Sequence, residues 1–160
     1  MVDIIAPVVV LLVVLVVVLH RTSAGVAVLA LLAGVLLDQL LSAWVIAALP
    51  SQQAPLNIYV SVVVHLLITF TPMVVALAFV KATRQSLIVP ILTGLVLGFL
   101  VVYFGLKIVA PLPDVTKVAN NSGLITFLGP YQNAILAASA VLAILAMVID
   151  HRKIRGKKDK

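Results

Sequence analysis

The chain has 160 residues, 64% of them hydrophobic and 10% charged, against roughly 25% charged in a soluble domain. With a mean hydropathy of +1.29, too few polar side chains remain to coat a water-soluble core, and the composition predicts an all-α integral membrane protein. The net charge of +6 would suit a nucleic-acid binder, but six of the eleven Lys and Arg lie in the last ten residues, and the absence of cysteine excludes disulfides and thiolate metal sites.

A helix crossing a hydrocarbon core of about 30 Å needs roughly 20 apolar residues. Backbone in lipid has no water to bond, so even Val-rich runs read as helices there. Five spans follow in chain order. The first covers residues 4–19 and ends at the turn His20-Arg21-Thr22-Ser23. The second covers 24–49, closed by Pro50, and the polar loop Ser51 to Asn57 leads to a third over 58–80. The fourth covers 87–110, closed by Pro111. The last apolar run is interrupted by Gly129-Pro130, and proline is tolerated best in a helix's first turn, which starts the fifth span at 130 and ends it at 149. Before it comes a long loop whose apolar end, Gly123 to Gly129, is expected to rest in the interface; it also holds a glycosylation triplet, Asn120-Asn121-Ser122. Residues 1–150 thus form one polytopic bundle, and 151–160 a cytoplasmic polybasic tail.

Cytoplasmic connections accumulate Lys and Arg. From the N-terminus onward the connections carry none, Arg21, none, Lys81 with Arg84, Lys117, and then six in the tail. The alternation predicts an N-out, C-in orientation. Because the first cation follows the first apolar run, that run reads as a retained reverse anchor and not as a cleaved signal peptide. Trp44, Tyr59, Tyr103 and Tyr131 all fall toward the outer boundary, where aromatic rings favour the headgroup level, and Lys107 is placed to snorkel there. The tail residues Arg152, Lys153, Arg155, Lys157, Lys158 and Lys160 read as a topology signal resting on anionic lipids, each cation worth about 1 kcal/mol near such a leaflet. A ten-residue tail without an aromatic side chain does not predict nucleic-acid binding.

Helices in lipid associate through small residues and interhelical hydrogen bonds, and residues four apart share a face. The second span carries Ala30, Gly34, Asp38 and Ser42 on one ridge, and the third Asn57, Ser61, His65 and Thr69. The fourth has Pro90, Gly94 and Gly98; the fifth has Ala134 and Ala138, with Ser139 and Ala143 on a neighbouring face. The first span has no such stripe and is expected at the periphery. Asp38 is the most informative residue, since a charged Asp at mid-span costs roughly 2.5 to 3.5 kcal/mol and is a functional hypothesis by default. It lies about ten residues, roughly 15 Å, from the outer end of its helix, and His65 about seven residues, roughly 10 Å, from the outer end of the next. The matched depths predict that Asp38 and His65 face each other. The plain role for such a pair is to hold two helices together; the sharper ones are a proton or ion path, or a contact to a partner helix.

No glutamate, HExxH, GxSxG or phosphate-binding glycine loop is present, and His20, His65 and His151 are too far apart for a metal site. The expectation is a protein without catalytic residues or cofactor. The arrangement resembles the colicin V production protein (CvpA-like) family of small bacterial inner-membrane proteins. The similarity rests on Val2-Asp3-Ile4-Ile5 opening the first span, Arg21 and Gly25 around the first turn, Gly34 in the second span, Lys81 and Arg84 after the third, and Gly94 and Gly98 in the fourth, over about residues 2–105. Arg21, Gly25 and Gly94 are the positions carried over. The resemblance implies the bacterial cytoplasmic membrane and an envelope role, with toxin production or export named for the family, and the leading expectation is a bundle that acts through a membrane partner or a second copy. The alternative is a small transporter or channel subunit with Asp38 and His65 in its path.

Overall fold

The computed structural model describes residues 2–20, 23–48, 54–80, 88–113, 115–116 and 129–155. Five helices account for nearly all of them: α1 (Val2–His20), α2 (Ala24–Ala48), α3 (Ala54–Phe79), α4 (Ile88–Val109) and α5 (Gln132–Arg155), the last preceded by a 3-10 turn over Gly129–Tyr131. The protein is all-α. Four stretches are long and apolar enough to cross a membrane, Ala24–Ala48, Ile58–Phe79, Val89–Val109 and Gln132–Ile149, whereas the apolar stretch of α1, Ile5–Leu19, is shorter. The chain is therefore a multi-pass helical membrane protein.

Two boundaries differ from the sequence expectation. Helix α3 begins at Ala54, inside what reads as a polar loop. Pro55 then occupies the first turn, where its missing N–H breaks no helical bond and its fixed φ favours the start. At the other end of the chain, α5 runs past Ile149 to Arg155, so half of the expected tail continues the helix, and Pro130 sits in the 3-10 turn and not at the first α-helical position.

Helix α2 is the centre of the bundle. It packs along α3 and also touches α4 and α5, while α1 packs along α4. Its inward stripe, Ala24, Ala27, Val28, Leu31, Gly34, Val35 and Ser42, repeats at three- and four-residue spacing. The core forms where this stripe meets Val17, Met73, Leu97, Leu100, Tyr103, Phe104 and Ala143.

Three close approaches set the helix spacings. A Cβ on Gly34 would collide with the carbonyl oxygen of Thr69, so α2 and α3 touch backbone to backbone. A Cβ on Gly98 would lie 2.9 Å from the Cα of Val10, and one on Gly94 would lie 3.4 Å from the Cα of Val14. The glycine pair of α4 thus forms the groove that receives α1, which supplies plain valines and needs no small stripe of its own. Gly25 faces Ala143 and Met147 of α5, 3.0 Å from the Ala143 carbonyl oxygen to an added Cβ.

The chain ends of the helices fall into two groups. The Ser23 amide donates to the Val80 carbonyl oxygen at 3.2 Å, bringing the start of α2 beside the end of α3, and the Gly25 contact puts the later part of α5 at that same end. At the opposite end the Lys107 ammonium of α4 meets Gln132 at the start of α5. Large apolar side chains such as Leu40, Trp44 and Phe79 are more than two-thirds exposed, which is sustainable only where the surroundings are themselves apolar.

Gly34→Ala forces the α2–α3 backbone contact apart and is expected to cost about 1 to 3 kcal/mol as an overpacking substitution. Gly105→Ala meets nothing within 4 Å and should be neutral or stabilising by up to about 1 kcal/mol through helix propensity. Thermal unfolding of the two purified variants in one detergent compares them directly.

Candidate intramembrane polar site

The register of α2 against α3 follows from their contact point. The helices are antiparallel, and Gly34 lies on Thr69. One turn onward along α2 is Asp38, and one turn back along α3 is His65, so both side chains arrive at the same level. His65 Nδ1 lies 2.7 Å from Asp38 Oδ1. The side chains are 32% and 17% exposed respectively, so neither is sealed in the core. With Asp38 ionised, the Nδ1–H donates to the carboxylate, and Nε2 is the ring nitrogen left for the surroundings.

His65 borders two cavities. One, of about 250 Å³, is bounded by Asp38 and Gln39 of α2, His65 and Thr69 of α3, Lys107 of α4 and Gln132 of α5. The second, of about 480 Å³, shares Ile108 and Pro111 with the first and adds Ser61, Ile46, Ile58 and Val62 around the same imidazole. The Lys107 Nζ donates to Gln132 Oε1 at 2.6 Å, tying α4 to α5 at the rim. Four helices therefore bring acid, imidazole, ammonium, hydroxyl and amide groups to one region of an otherwise apolar bundle. Among the described residues no three His, Cys, Asp or Glu side chains gather as metal ligands would.

The other sequence-derived positions divide clearly. Gly34 and Thr69 form the helix contact, Gly94 and Gly98 hold α1, and Gly25 holds α5. Ala30 is half-buried and Ser42 is buried on the inward face of α2, and Ser61 lines the larger cavity. On α5 the inward stripe is Ser139, Ala143 and Ala146, whereas Ala134 and Ala138 are exposed. Ser139 bonds the Leu136 carbonyl oxygen of its own helix, at 2.9 Å, and so does not bridge to a neighbour. Tyr103 is buried and packs edge-on to Phe104 with ring centres 5.2 Å apart, while Trp44, Tyr59 and Tyr131 are exposed. Arg152, Lys153 and Arg155 fall in the last turns of α5. Arg21, Lys81, Arg84, Lys117, the triplet 120–122 and Lys157, Lys158 and Lys160 lie outside the described residues.

Gln39 and Gln132 are members of the site that the sequence does not mark, and Lys107, expected to snorkel to the headgroups, also lines it. Gln39 sits beside Asp38, and Lys107 and Gln132 both lie near the same predicted boundary, but nothing in a one-dimensional pattern says that α4 and α5 turn these positions toward α2 and α3. Comparison with protein-family models, with curated proteins and with solved structures yields no match.

A double-mutant cycle on Asp38→Ala and His65→Ala isolates the pair. Each single change removes the bond and leaves the other group in a poorly solvated place, so the double variant should lose less stability than the sum of the singles, with a coupling of about 1 kcal/mol, near the upper range for hydrogen bonds between membrane helices. Additive losses in detergent unfolding would mean that the two residues do not interact.

Proposed function

We propose that this protein is a non-enzymatic component of the bacterial cytoplasmic membrane that handles a proton or small ion at the polar cavity between α2, α3, α4 and α5. The observation that carries the reading is the Asp38–His65 pair opening onto a cavity that Lys107 and Gln132 also line. A pair serving only to hold two helices together gains nothing from polar groups on the two other helices, since each polar group in a membrane costs free energy. The Asp38 carboxylate orients the imidazole through Nδ1, and Nε2 can then accept and return a proton. A continuous route across the membrane through one copy would have to pass the Gly34–Thr69 contact, where two backbones touch. A second copy completing the path is part of the proposal.

In this reading all five helices cross, with the N-terminus outside and the C-terminus inside. Ser23 and Val80, neighbours across one end of the bundle, adjoin the basic positions Arg21 and Lys81 in sequence, and the positive-inside rule then puts that end in the cytoplasm. The cavity opens toward the outer face. A second reading follows the CvpA-like resemblance: a role in toxin production or export, or in envelope homeostasis, exerted through a membrane partner. The exposed apolar run of α5, including Val141, Leu142, Ile144 and Leu145, supports it as a surface for another helix.

Because the chain has no cysteine, single substitutions report orientation without background. Ser51→Cys should react with a membrane-impermeant maleimide in intact cells, and Ser86→Cys only after permeabilisation; the reverse pattern would invert the topology. The path itself is testable in proteoliposomes carrying an internal pH dye. Wild-type protein should dissipate an imposed proton gradient and Asp38→Asn should slow this at least tenfold, whereas no flux from the wild type would favour the partner-dependent reading.

A further inference from the structure

The smaller cavity is rich in donors: Lys107, the amide NH2 groups of Gln39 and Gln132, and the hydroxyl of Thr69 can all donate into it, while Asp38 Oδ1 is engaged by His65 and Gln132 Oε1 by Lys107. Thr69 is 1% exposed, and among the described residues its hydroxyl has no hydrogen-bond partner, although it borders the cavity. A buried hydroxyl without a partner costs free energy that a ligand atom would recover. At about 250 Å³ the space lies below the roughly 300–1,000 Å³ of drug-sized ligand sites and has room for a small ion together with several waters, at about 30 Å³ each.

Charge narrows the choice. Among the described residues, the titratable groups that line these cavities with His65 are Asp38 from α2 and Lys107 from α4; α5 contributes the neutral Gln132, and α3 Thr69 and Ser61. With a neutral imidazole, Asp38 and Lys107 cancel. A proton on His65 leaves one uncompensated positive charge, and an anion without the proton leaves one negative charge; either is costly in a low-dielectric bundle. The two together cancel again.

We propose that the cavity bordered by Asp38, His65, Thr69, Lys107 and Gln132 is a binding site for a small monovalent anion, of chloride or acetate size, taken up together with a proton held on His65. Lys107 and the Gln132 amide receive the anion at the rim, and Thr69 donates from the floor. The proton comes from water onto Nε2, while Nδ1 stays on Asp38 and the imidazolium–carboxylate pair remains in contact. This rests on the reading of the cavity as a proton or ion site, and it names what accompanies the proton.

The test is anion-dependent stability of the purified full-length chain in a non-ionic detergent, with potassium gluconate exchanged for potassium chloride or potassium acetate at constant ionic strength. At pH 5.5 either small anion, at ten times its dissociation constant, should raise the unfolding temperature by about 3 to 6 °C, and the rise should be much smaller at pH 8. Lys107→Gln loses the bond to Gln132 and should unfold somewhat below the wild type in gluconate, and relative to its own gluconate value it should show no response to chloride or acetate. Equal unfolding temperatures in all three anions, or an unchanged response in Lys107→Gln, would overturn the site; a response of equal size at both pH values would overturn its coupling to His65. Anion binding in a protein that passes no protons in liposomes would sink the path reading and leave the site standing, so the two failures are distinguishable.

Discussion

The contact between Gly34 and the Thr69 carbonyl is the constraint on which the polar region depends. Two antiparallel helices that touch at one point have their register fixed for a turn or two on either side, because each rises by a set amount per residue. Asp38 and His65 are each one turn from that point, in the direction that brings them together. Any larger residue at position 34 would separate the helices there and lengthen a hydrogen bond whose geometry tolerates only a few tenths of an ångström. The absence of a side chain at Gly34 is thus what makes the Asp38–His65 bond attainable.

The same economy appears around α4. Gly94 and Gly98 admit the valines of α1 on one face, while Leu97, Leu100, Tyr103 and Phe104 fill the space toward α2. Packing is dense around α2 and α4 and sparse around α3 and α5, whose crossing stretches leave most of their surface outside the bundle. In a bilayer that surface costs nothing, since lipid tails are as apolar as leucine. What holds α3 and α5 is accordingly specific: a glycine contact each, the Asp38–His65 bond for α3 and the Lys107–Gln132 bond for α5. The polar cavity lies where these sparsely packed helices meet the dense pair, which is why it has room.

Much of this is legible in the residues. Runs of apolar side chains near span length mark the helices, since lipid leaves the backbone no alternative, and the ridges Gly34-Asp38-Ser42 and Ser61-His65-Thr69 carry the α2–α3 register in their four-residue spacing. Other features were not legible for definite reasons. Tyr103 turns inward because it falls on the buried face of α4, a fact of helix rotation that hydropathy does not encode when every face is apolar. For the same reason the buried small stripe of α5 proved to be Ser139 and Ala143, and not Ala134 and Ala138. The helical start at Ala54 was hidden by polar residues that read equally well as loop or as a first turn exposed to headgroups.

By itself the amino-acid sequence determined the solvent, the number and approximate limits of the helices, and the presence of an ionisable residue deep in one of them, because each is a consequence of transfer free energies that add along the chain. It also determined the spacing that lets Asp38 meet His65. Only the tertiary structure decided that α1 lies in the glycine groove of α4, that Lys107 bonds Gln132, and that these two join Asp38, His65 and Thr69 around one cavity. Those outcomes depend on how each helix is rotated about its axis. In a uniformly apolar solvent, rotation is chosen by backbone contact and a few hydrogen bonds, and not by hydrophobicity.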